Sequence, residues 1–194
     1  YGRDLLGVSI TLACRIPIGS GLGGGSSNAA ATLKALNKLW NCGLEKQELA
    51  TMGLELGADV PVFVLGKSAW AEGVGEKLEA IEIEPCWYLI INPNSIVSTA
   101  QIFSQENLTR NSPAIKMADF LAGRAKNDCE AVTRNLHPEV NEALNWLDQF
   151  SEARMTGTGS AVFCKFENEA AAQAVFAKRP SNLNGFVARG INSL

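Results

Sequence analysis

A glycine-rich segment between Pro17 and Ser27 carries the strongest chemical signal in this sequence. It has the sequence PIGSGLGGGSS and leads directly into NAAATLKALNKLW, whose apolar residues recur at helical spacing. Glycine allows positive φ angles and lets the backbone approach a ligand closely. The first N–H groups of a helix lack partners within the helix, and the helix dipole places partial positive charge there. A glycine loop that ends at a helix start is therefore typical of a phosphate-binding site.

Two common nucleotide-binding loops do not fit this segment. No lysine follows its last glycine, so it is not a Walker A loop. Gly19, Gly21 and Gly24 satisfy the G-x-G-x-x-G pattern of dinucleotide-binding folds, but such a fold needs a second strand that ends in an acidic residue. Here a second helical pattern comes next, and the expected region offers Asn41. The sequence thus argues against a dinucleotide-dependent oxidoreductase and leaves a phosphate cradle.

Two further segments and the single histidine hold residues that could do chemistry. Asp59 lies in GADVPVF, between a glycine that ends a helix and a turn stiffened by proline. It could cap or brace the turn locally, or it could be a general base held near the phosphate loop. The TGTGS run at residues 156–160 could be a simple hairpin turn, or it could pack closely against the first glycine loop or a substrate. His137 has no evident catalytic partner, and we expect it at the surface.

The elements that would position these residues alternate between helix and strand. The pattern predicts a strand over Val8 to Ile16, a helix from about Ser26 to Trp40 and another from about Glu45 to Leu56. CWYLIINP predicts a buried strand, and the pattern from Thr99 to about Phe150 is mostly helical. A strand, a helix and a closing strand account for the remainder. We therefore predict an α+β fold with two domains, at residues 1–84 and 85–194.

Composition narrows the classes of partner. The chain has 194 residues, 46% of them hydrophobic and 19% charged, which is enough for a substantial core. A net charge of −3 gives no reason to expect a nucleic-acid or membrane-surface partner, and no apolar run approaches the roughly 20 residues of a membrane helix. The five cysteines lack metal-ligand spacing and favour reduced thiols in a cytoplasmic protein. We expect no bound metal held by cysteine, and a monomer or weak homodimer.

Taken together, the motifs resemble those of the GHMP kinases, which phosphorylate small alcohols with ATP. The matching segments are P-x-x-x-G-L-G-G-G-S-S-N-A-A from Pro17, GADVPVF from Gly57, AWAEGVGE from Ala69, TGTGS from Thr156 and LNGFVARG from Leu183. The likeness covers nearly the whole chain. It is strongest to the branch whose substrate is 4-diphosphocytidyl-2-C-methyl-D-erythritol, a cytidine-diphosphate compound of the non-mevalonate isoprenoid pathway.

The resemblance implies a fold and a binding site for ATP with Mg²⁺. Residues 1–84 would form an ATP-binding domain, an incomplete version of one like the second domain of ribosomal protein S5, and residues 85–194 a ferredoxin-like C-terminal domain. The glycine-rich loop would wrap the ATP phosphates, and its two serines at the helix start would lie near phosphate and Mg²⁺. The implied ATP-binding residues are Pro17, Ile18, Gly19, Ser20, Gly21, Leu22, Gly23, Gly24, Gly25, Ser26 and Ser27.

The resemblance also implies roles on the substrate side. Asp59 would be the catalytic base on the 2-hydroxyl of the substrate, and the turn at residues 156–160 would border the site. Thr99 and Phe103 would belong to the cytidine pocket, with the Phe103 ring near the base. Family members carry an earlier segment with a lysine that pairs with this aspartate, so we expect the chain to be a fragment or processed form of a longer protein.

Two alternative functions stay open at this point. The chain could be a nucleotide- or sugar-binding module that does not catalyse a reaction. It could also be a GHMP kinase for another small alcohol, such as homoserine or mevalonate, although the triple-glycine loop argues against this. ATP binding without turnover would favour the first alternative, and a panel of alcohols would distinguish the second.

Overall fold

The computed structural model describes residues 7–193, in which helices and strands are mixed along the chain. The helices are α1 (Gly24–Leu39), α2 (Lys46–Leu56), α3 (Val60–Leu65), α4 (Thr99–Phe103), α5 (Met117–Leu121), α6 (Asp128–Leu136), α7 (Pro138–Leu147) and α8 (Glu169–Phe176). The strands are β1 (Ala69–Glu72), β2 (Lys77–Ala80), β3 (Trp87–Asn92), β4 (Arg154–Met155), β5 (Val162–Phe166) and β6 (Asn184–Arg189). The predicted α+β class is confirmed.

The described residues fall into two compact units. The first contains residues 7–16, Gly23–Ile83 and residues 192–193, and the second contains Pro17–Leu22 and Glu84–Ile191. The glycine-rich segment is therefore divided, because its first six residues belong to the second unit and the rest to the first. The predicted division into an ATP-binding domain at 1–84 and a C-terminal domain at 85–194 assigns functions to the two parts, and the compact units do not test those functions. It stays a prediction.

The first unit is built on three helices and a hairpin. The helices α1, α2 and α3 enclose a small core made of Ala30, Leu49, Val60 and Val64. At the start of α2, the backbone N–H of Glu45 donates to the Glu48 carboxylate at 2.8 Å, which forms one half of a capping box. Strands β1 and β2 pair as an antiparallel hairpin. The beginning of α1 and the beginning of α3 therefore lie in the same unit.

The strand predicted over residues 8–16 is wrong. Among the described residues, no strand pairs with this segment, which has neither helical nor strand structure. Its apolar side chains are largely exposed, at 45% for Val8, 52% for Ile10 and 59% for Leu12. A strand is stabilised by ladder hydrogen bonds to a neighbour. Alternation of apolar residues therefore does not produce a strand where no neighbouring strand pairs with it.

The second unit has the order β-α-β-β-α-β, in which α4 to α7 follow the first strand and α8 precedes the last. Its sheet has the strand order β4-β5-β3-β6, and every neighbouring pair is antiparallel. In the central register, Leu89 of β3 lies opposite Cys164 of β5 and Val187 of β6. This is a ferredoxin-like topology, as the resemblance implied for the C-terminal domain.

The core of the second unit lies on one face of this sheet. Leu89 and Ile91 of β3, with Val162 and Cys164 of β5, are all 0% exposed. Residues two apart on a strand share a face, and apolar residues of α7 and α8 cover this one. Burial of each large apolar side chain contributes about 1.5–3 kcal/mol. The sheet with its covering helices is therefore a rigid base for the loops at its ends.

The five cysteines are all free thiols. Burial, together with the charge of Asp148, raises the pKa of the Cys164 thiol to about 11. Burial also raises the pKa of Cys129. These two thiols consequently stay protonated near neutral pH and have little nucleophilic character.

Between residues 7 and 193, no helix combines the length and the apolar character that crossing a bilayer requires.

Candidate active site

The turn at residues 156–160 holds the first part of the glycine-rich segment. Ser160 N–H donates to the Gly19 carbonyl at 3.2 Å, and Ala161 N–H donates to the Ser20 carbonyl at 2.9 Å. Thr156 Oγ1 donates to the same Ser20 carbonyl at 3.2 Å. All these residues belong to the second unit. Of the interpretations that the sequence left open, close packing of this turn against the glycine loop is confirmed.

This packing requires glycine at position 21. Gly21 has a φ of +72°, which residues with a Cβ rarely adopt. A Cβ built there would collide with the Thr156 carbonyl oxygen and would lie 2.6 Å from Thr156 Oγ1 and 3.0 Å from the Gly159 oxygen. The close approach of the two backbones is therefore possible only without a side chain.

The glycine-rich segment offers backbone N–H groups that have no acceptor. Throughout residues 7–193, no atom accepts a hydrogen bond from the N–H groups of residues 19–22 in the second unit, or of residues 23–26 in the first. Helix α1 has Gly23 as its N-cap, with a φ of 67°, no side-chain cap and no acidic residue in its first turn. An uncapped helix start favours an anion. Phosphate is the natural ligand for such donors.

Asp59 lies at the N-cap position of α3, but its carboxylate forms no cap hydrogen bond. Within the described chain it has no hydrogen-bond or ion-pair partner, and the residue is exposed. The next two residues, Val60 and Pro61, are buried and anchor the backbone. The interpretation of Asp59 as a local side-chain cap is therefore wrong, because its carboxylate accepts no hydrogen bond from the helix that follows.

The backbone just before Asp59 lies beside the start of α1 in the first unit. A Cβ built on Gly57 would be 4.0 Å from Ser26 Oγ. The ring of Phe63 on α3 packs where a Cβ on Gly23 would be, at 2.8 Å. Lys34 Nζ on α1 donates to the Phe63 carbonyl at 3.1 Å. Folding of this unit thus brings the beginning of the uncapped helix close to the turn that carries Asp59.

Thr99 and Phe103 lie on the short helix α4 in the second unit. Thr99 Oγ1 is 3.1 Å from Thr158 Oγ1, so this predicted substrate residue contacts the turn at residues 156–160. The Phe103 side chain is 55% exposed, which leaves its ring accessible to a ligand. Arg110 fixes the end of this helix, because its guanidinium donates to the carbonyls of Phe103 at 2.7 Å and Gln105 at 2.9 Å.

His137 is partly buried, whereas the sequence led us to expect it at the surface. Its Nδ1 lies 3.0 Å from Ser95 Oγ, and its Nε2 is buried and has no partner among the described residues. The residue sits between α6 and α7, where its backbone takes part in both helix ends. The ring contacts a residue 42 positions earlier in the chain, so no local pattern in the sequence indicated its burial.

Sequence patterns also missed three side chains that support the site. Arg110 holds α4, and Asn127 and Thr133 bond to the turn at residues 156–160. Asn127 precedes a helix, so its capping role could have been predicted. Its contacts with a turn about 30 residues later could not, since they depend on where α6 packs.

Two family models match this chain. The model for the GHMP kinases N terminal domain matches residues 1–67, and the model for the GHMP kinases C terminal region matches residues 107–185. The two matches follow the order expected from the motifs. They include the glycine-rich segment, Asp59 and the turn at residues 156–160.

Two relatives and one solved structure that are similar to this chain are named as kinases of the same compound. A 4-diphosphocytidyl-2-C-methyl-D-erythritol kinase of Hahella chejuensis is 50% identical over 192 residues, covering 97% of this chain and 65% of that protein. One of Alkalilimnicola ehrlichii is 54% identical over 186 residues, covering 96% and 64%. A crystal structure of 4-(cytidine 5'-diphospho)-2C-methyl-D-erythritol kinase matches with a TM-score of 0.72 and 31% identity, covering 91% of this chain and 68% of that one. The chain thus spans about two thirds of the length of these relatives.

Proposed function

This chain belongs to the GHMP kinase family, and on this basis we propose that the protein transfers the γ-phosphoryl group of ATP to the 2-hydroxyl of 4-diphosphocytidyl-2-C-methyl-D-erythritol. The relatives at 50% and 54% identity are named as the kinase of this compound, and their likeness extends over 96–97% of the chain. The reaction would serve isoprenoid precursor synthesis. A cytoplasmic location is part of the proposal and suits a protein whose five cysteines are free thiols.

The observation that carries the proposal is the set of N–H groups without acceptors in the glycine-rich segment. The carbonyls of Gly19 and Ser20 are occupied by donors from the turn at residues 156–160. These oxygens are therefore engaged, while the N–H groups of the segment remain available to phosphate oxygens. Phosphoryl transfer depends on positioning and charge neutralisation more than on covalent participation by the protein. Backbone donors supply both.

Under this proposal Asp59 is the general base. Its carboxylate accepts the proton of the 2-hydroxyl while the hydroxyl oxygen forms a bond to the γ-phosphorus of ATP. The bond between that phosphorus and the β–γ bridging oxygen breaks, and ADP leaves with the bonding electron pair. The exposed carboxylate, which no group of the described chain engages, supports this role. So does its place on a backbone that buried Val60 and Pro61 hold rigidly.

The cytidine group would bind at α4. The ring of Phe103 is accessible and lies one helical turn from Thr99, and an accessible ring suits stacking of a pyrimidine on its aromatic face. Thr99 supplies a hydroxyl that also contacts Thr158. Through Thr99, the helix proposed to bind cytidine contacts the same turn that binds the glycine-rich segment.

Mg²⁺ would accompany ATP in this proposal. Among residues 7–193, no group of three or more histidine, cysteine or acidic residues is arranged to hold a metal ion. In phosphoryl transfer Mg²⁺ keeps several waters and binds through phosphate oxygens with only one or two protein ligands. The hydroxyls of Ser26 and Ser27 at the start of α1 would supply oxygen ligands to the ion. When bound, the ion neutralises phosphate charge.

A direct assay tests the proposal on the full-length product of the gene that encodes this chain. The protein is incubated with ATP, Mg²⁺ and 4-diphosphocytidyl-2-C-methyl-D-erythritol, and ADP release is followed, with homoserine and mevalonate as competing alcohols. Asp59→Asn should lower kcat by about 10²–10⁴-fold while the Kd for ATP stays near that of the wild type. Glu55→Gln, at an exposed acidic residue of α2, is the matched control and should leave kcat unchanged.

The outcomes separate the alternatives. ADP release with the cytidine compound, and none with homoserine or mevalonate, supports the proposal. Faster turnover of homoserine or mevalonate would assign another alcohol, and ATP binding without any turnover would identify a non-catalytic nucleotide-binding module. Near-normal turnover by Asp59→Asn would exclude this carboxylate as the base.

A further inference from the structure

The start of α6 is bound to the turn at residues 156–160 through the side chain of Asn127. Its Nδ2 donates to the Gly157 carbonyl at 2.7 Å and to the Met155 carbonyl at 3.2 Å. Its Oδ1 accepts the Cys129 N–H at 3.0 Å and so caps α6. One amide therefore performs two separable tasks. Oδ1 caps the helix, and Nδ2 binds the carbonyls of Met155 and Gly157 at the start of the turn.

Thr133 holds the next part of the same turn. Its side chain is completely buried, and its Oγ1 donates to the Thr158 carbonyl at 3.0 Å. A threonine inside a helix commonly bonds its own helix backbone instead. A Cβ built on Gly159 would lie 3.2 Å from Thr133 Cγ2, so the methyl group also limits the space around the turn. Asn127 and Thr133 together engage the carbonyls of residues 155, 157 and 158.

These contacts continue to the glycine-rich segment. On the other side of the turn, Ser160 N–H, Ala161 N–H and Thr156 Oγ1 hold the carbonyls of Gly19 and Ser20. The turn is thus a layer between α6 and residues 17–22, all within the second unit. Because its carbonyls are engaged by α6 and its donors by the glycine segment, displacement of the turn on one side must change the contacts on the other.

We propose that Asn127 and Thr133 are positioning residues for ATP, which set the conformation of the phosphate-binding residues 19–22 through the turn at residues 156–160. This inference rests on the proposed function, since it takes the glycine-rich segment as the ATP site. Under this proposal neither residue touches the nucleotide. Each acts by fixing the turn carbonyls, so that the Gly19 and Ser20 carbonyls stay bound to the turn and away from phosphate oxygens.

Two conservative variants test the proposal without removing the helix. Asn127→Asp retains an oxygen that caps α6, but it replaces the two N–H donors by an oxygen that faces carbonyls. Thr133→Val retains the shape and removes the hydroxyl. Asn168→Asp is the matched control, because Asn168 caps α8 through its Oδ1, which accepts the Ala171 N–H at 2.9 Å. Within residues 7–193, Asn168 forms no hydrogen bond to the turn.

Two measurements on the full-length protein distinguish positioning from general destabilisation. The first is amide hydrogen exchange of Ser160 and Ala161, whose N–H groups hold the glycine segment. The second is the Kd for ATP from calorimetry, with KM for ATP and kcat from the kinase assay. Asn127→Asp and Thr133→Val should accelerate exchange of both amides and weaken ATP binding by about tenfold or more, with a smaller change in kcat. Asn168→Asp should change neither.

Faster exchange together with weaker ATP binding in both variants supports the proposal. Unchanged exchange would mean that α6 does not hold the turn, and faster exchange with an unchanged Kd would mean that the turn does not set the ATP site; either result overturns it. If the wild-type protein binds no ATP, the proposed function fails, and with it the role in ATP binding. The exchange rates then show separately whether α6 holds the turn.

Discussion

Substitution of Gly21 by alanine is the most direct test of how the glycine-rich segment is built. Gly21 has a φ of +72°, and a Cβ there would collide with the Thr156 carbonyl oxygen. The variant must either bear this collision or move the segment off the turn at residues 156–160. In both cases the N–H groups of residues 19–22 lose their present arrangement. We therefore expect Gly21→Ala to weaken ATP binding.

The size of the effect is set by the less costly of two routes. A residue with a Cβ that stays in the left-handed region costs about 1–2 kcal/mol. Moving the segment off the turn would instead give up hydrogen bonds that tie Gly19 and Ser20 to the turn, at about 0.5–1.5 kcal/mol each. A penalty of about 1–2 kcal/mol against the ATP-binding conformation corresponds to a roughly 5- to 30-fold increase in Kd.

The matched control is Gly43→Ala. Gly43 has nearly the same φ, +71°, but a Cβ there would meet no atom within 4 Å. This variant therefore carries only the left-handed strain, which should appear in the free energy of unfolding and not in ATP binding. The Kd for ATP is measured by calorimetry for both variants, and stability by urea unfolding. A Gly21→Ala protein that binds ATP within about threefold of the wild type would refute this account of the packing between segment and turn.

Two further predictions concern substrate binding and pH. Phe103→Ala should raise KM for the cytidine compound about tenfold and leave KM for ATP unchanged, because it removes a stacking interaction worth about 1–3 kcal/mol. Arg110→Gln should raise KM for the cytidine compound by a smaller factor, since Arg110 holds the Phe103 carbonyl. Equal effects on the KM values for both substrates in steady-state assays would contradict this. Because burial raises the pKa of Cys164 to about 11 from 9.0, the unfolded chain loses this thiol proton first as pH rises. The thiol's stabilising contribution is therefore complete below pH 9.0 and is lost between pH 9.0 and about 11, by up to about 1.4 kcal/mol per pH unit. Urea unfolding at several pH values should show a shallower alkaline loss of stability in Cys164→Ala, and an equally steep loss in both proteins would exclude this thiol as a contributor.

Much of the secondary structure was predictable from local patterns. The first helix was expected from about Ser26 and begins two residues earlier, at Gly24. The second was expected from about Glu45 to Leu56 and is observed at Lys46–Leu56. Periodicity succeeded there because each segment buries one face against a neighbour within its own unit.

Predictions that depended on distant partners were less successful. The alternating residues 8–16 form no strand in the described chain, since a strand needs a neighbour that the pattern alone cannot supply. His137 was expected at the surface and is partly buried between two helices. In each case tertiary contacts, which are not local in sequence, decide the outcome.

The amino-acid sequence by itself determined the α+β class and the family, and it predicted a phosphate-binding role for the glycine-rich segment. These follow from local properties, namely glycine density before a helix, apolar periodicity and the order of three motifs. Only the tertiary structure decided that the Gly19 and Ser20 carbonyls bind the turn at residues 156–160. It also decided that Asn127 and Thr133 donate hydrogen bonds to the carbonyls of that turn. The physical reason is that hydrogen bonds between residues far apart in the chain depend on how the sheet and helices pack, and that packing is a property of the whole unit.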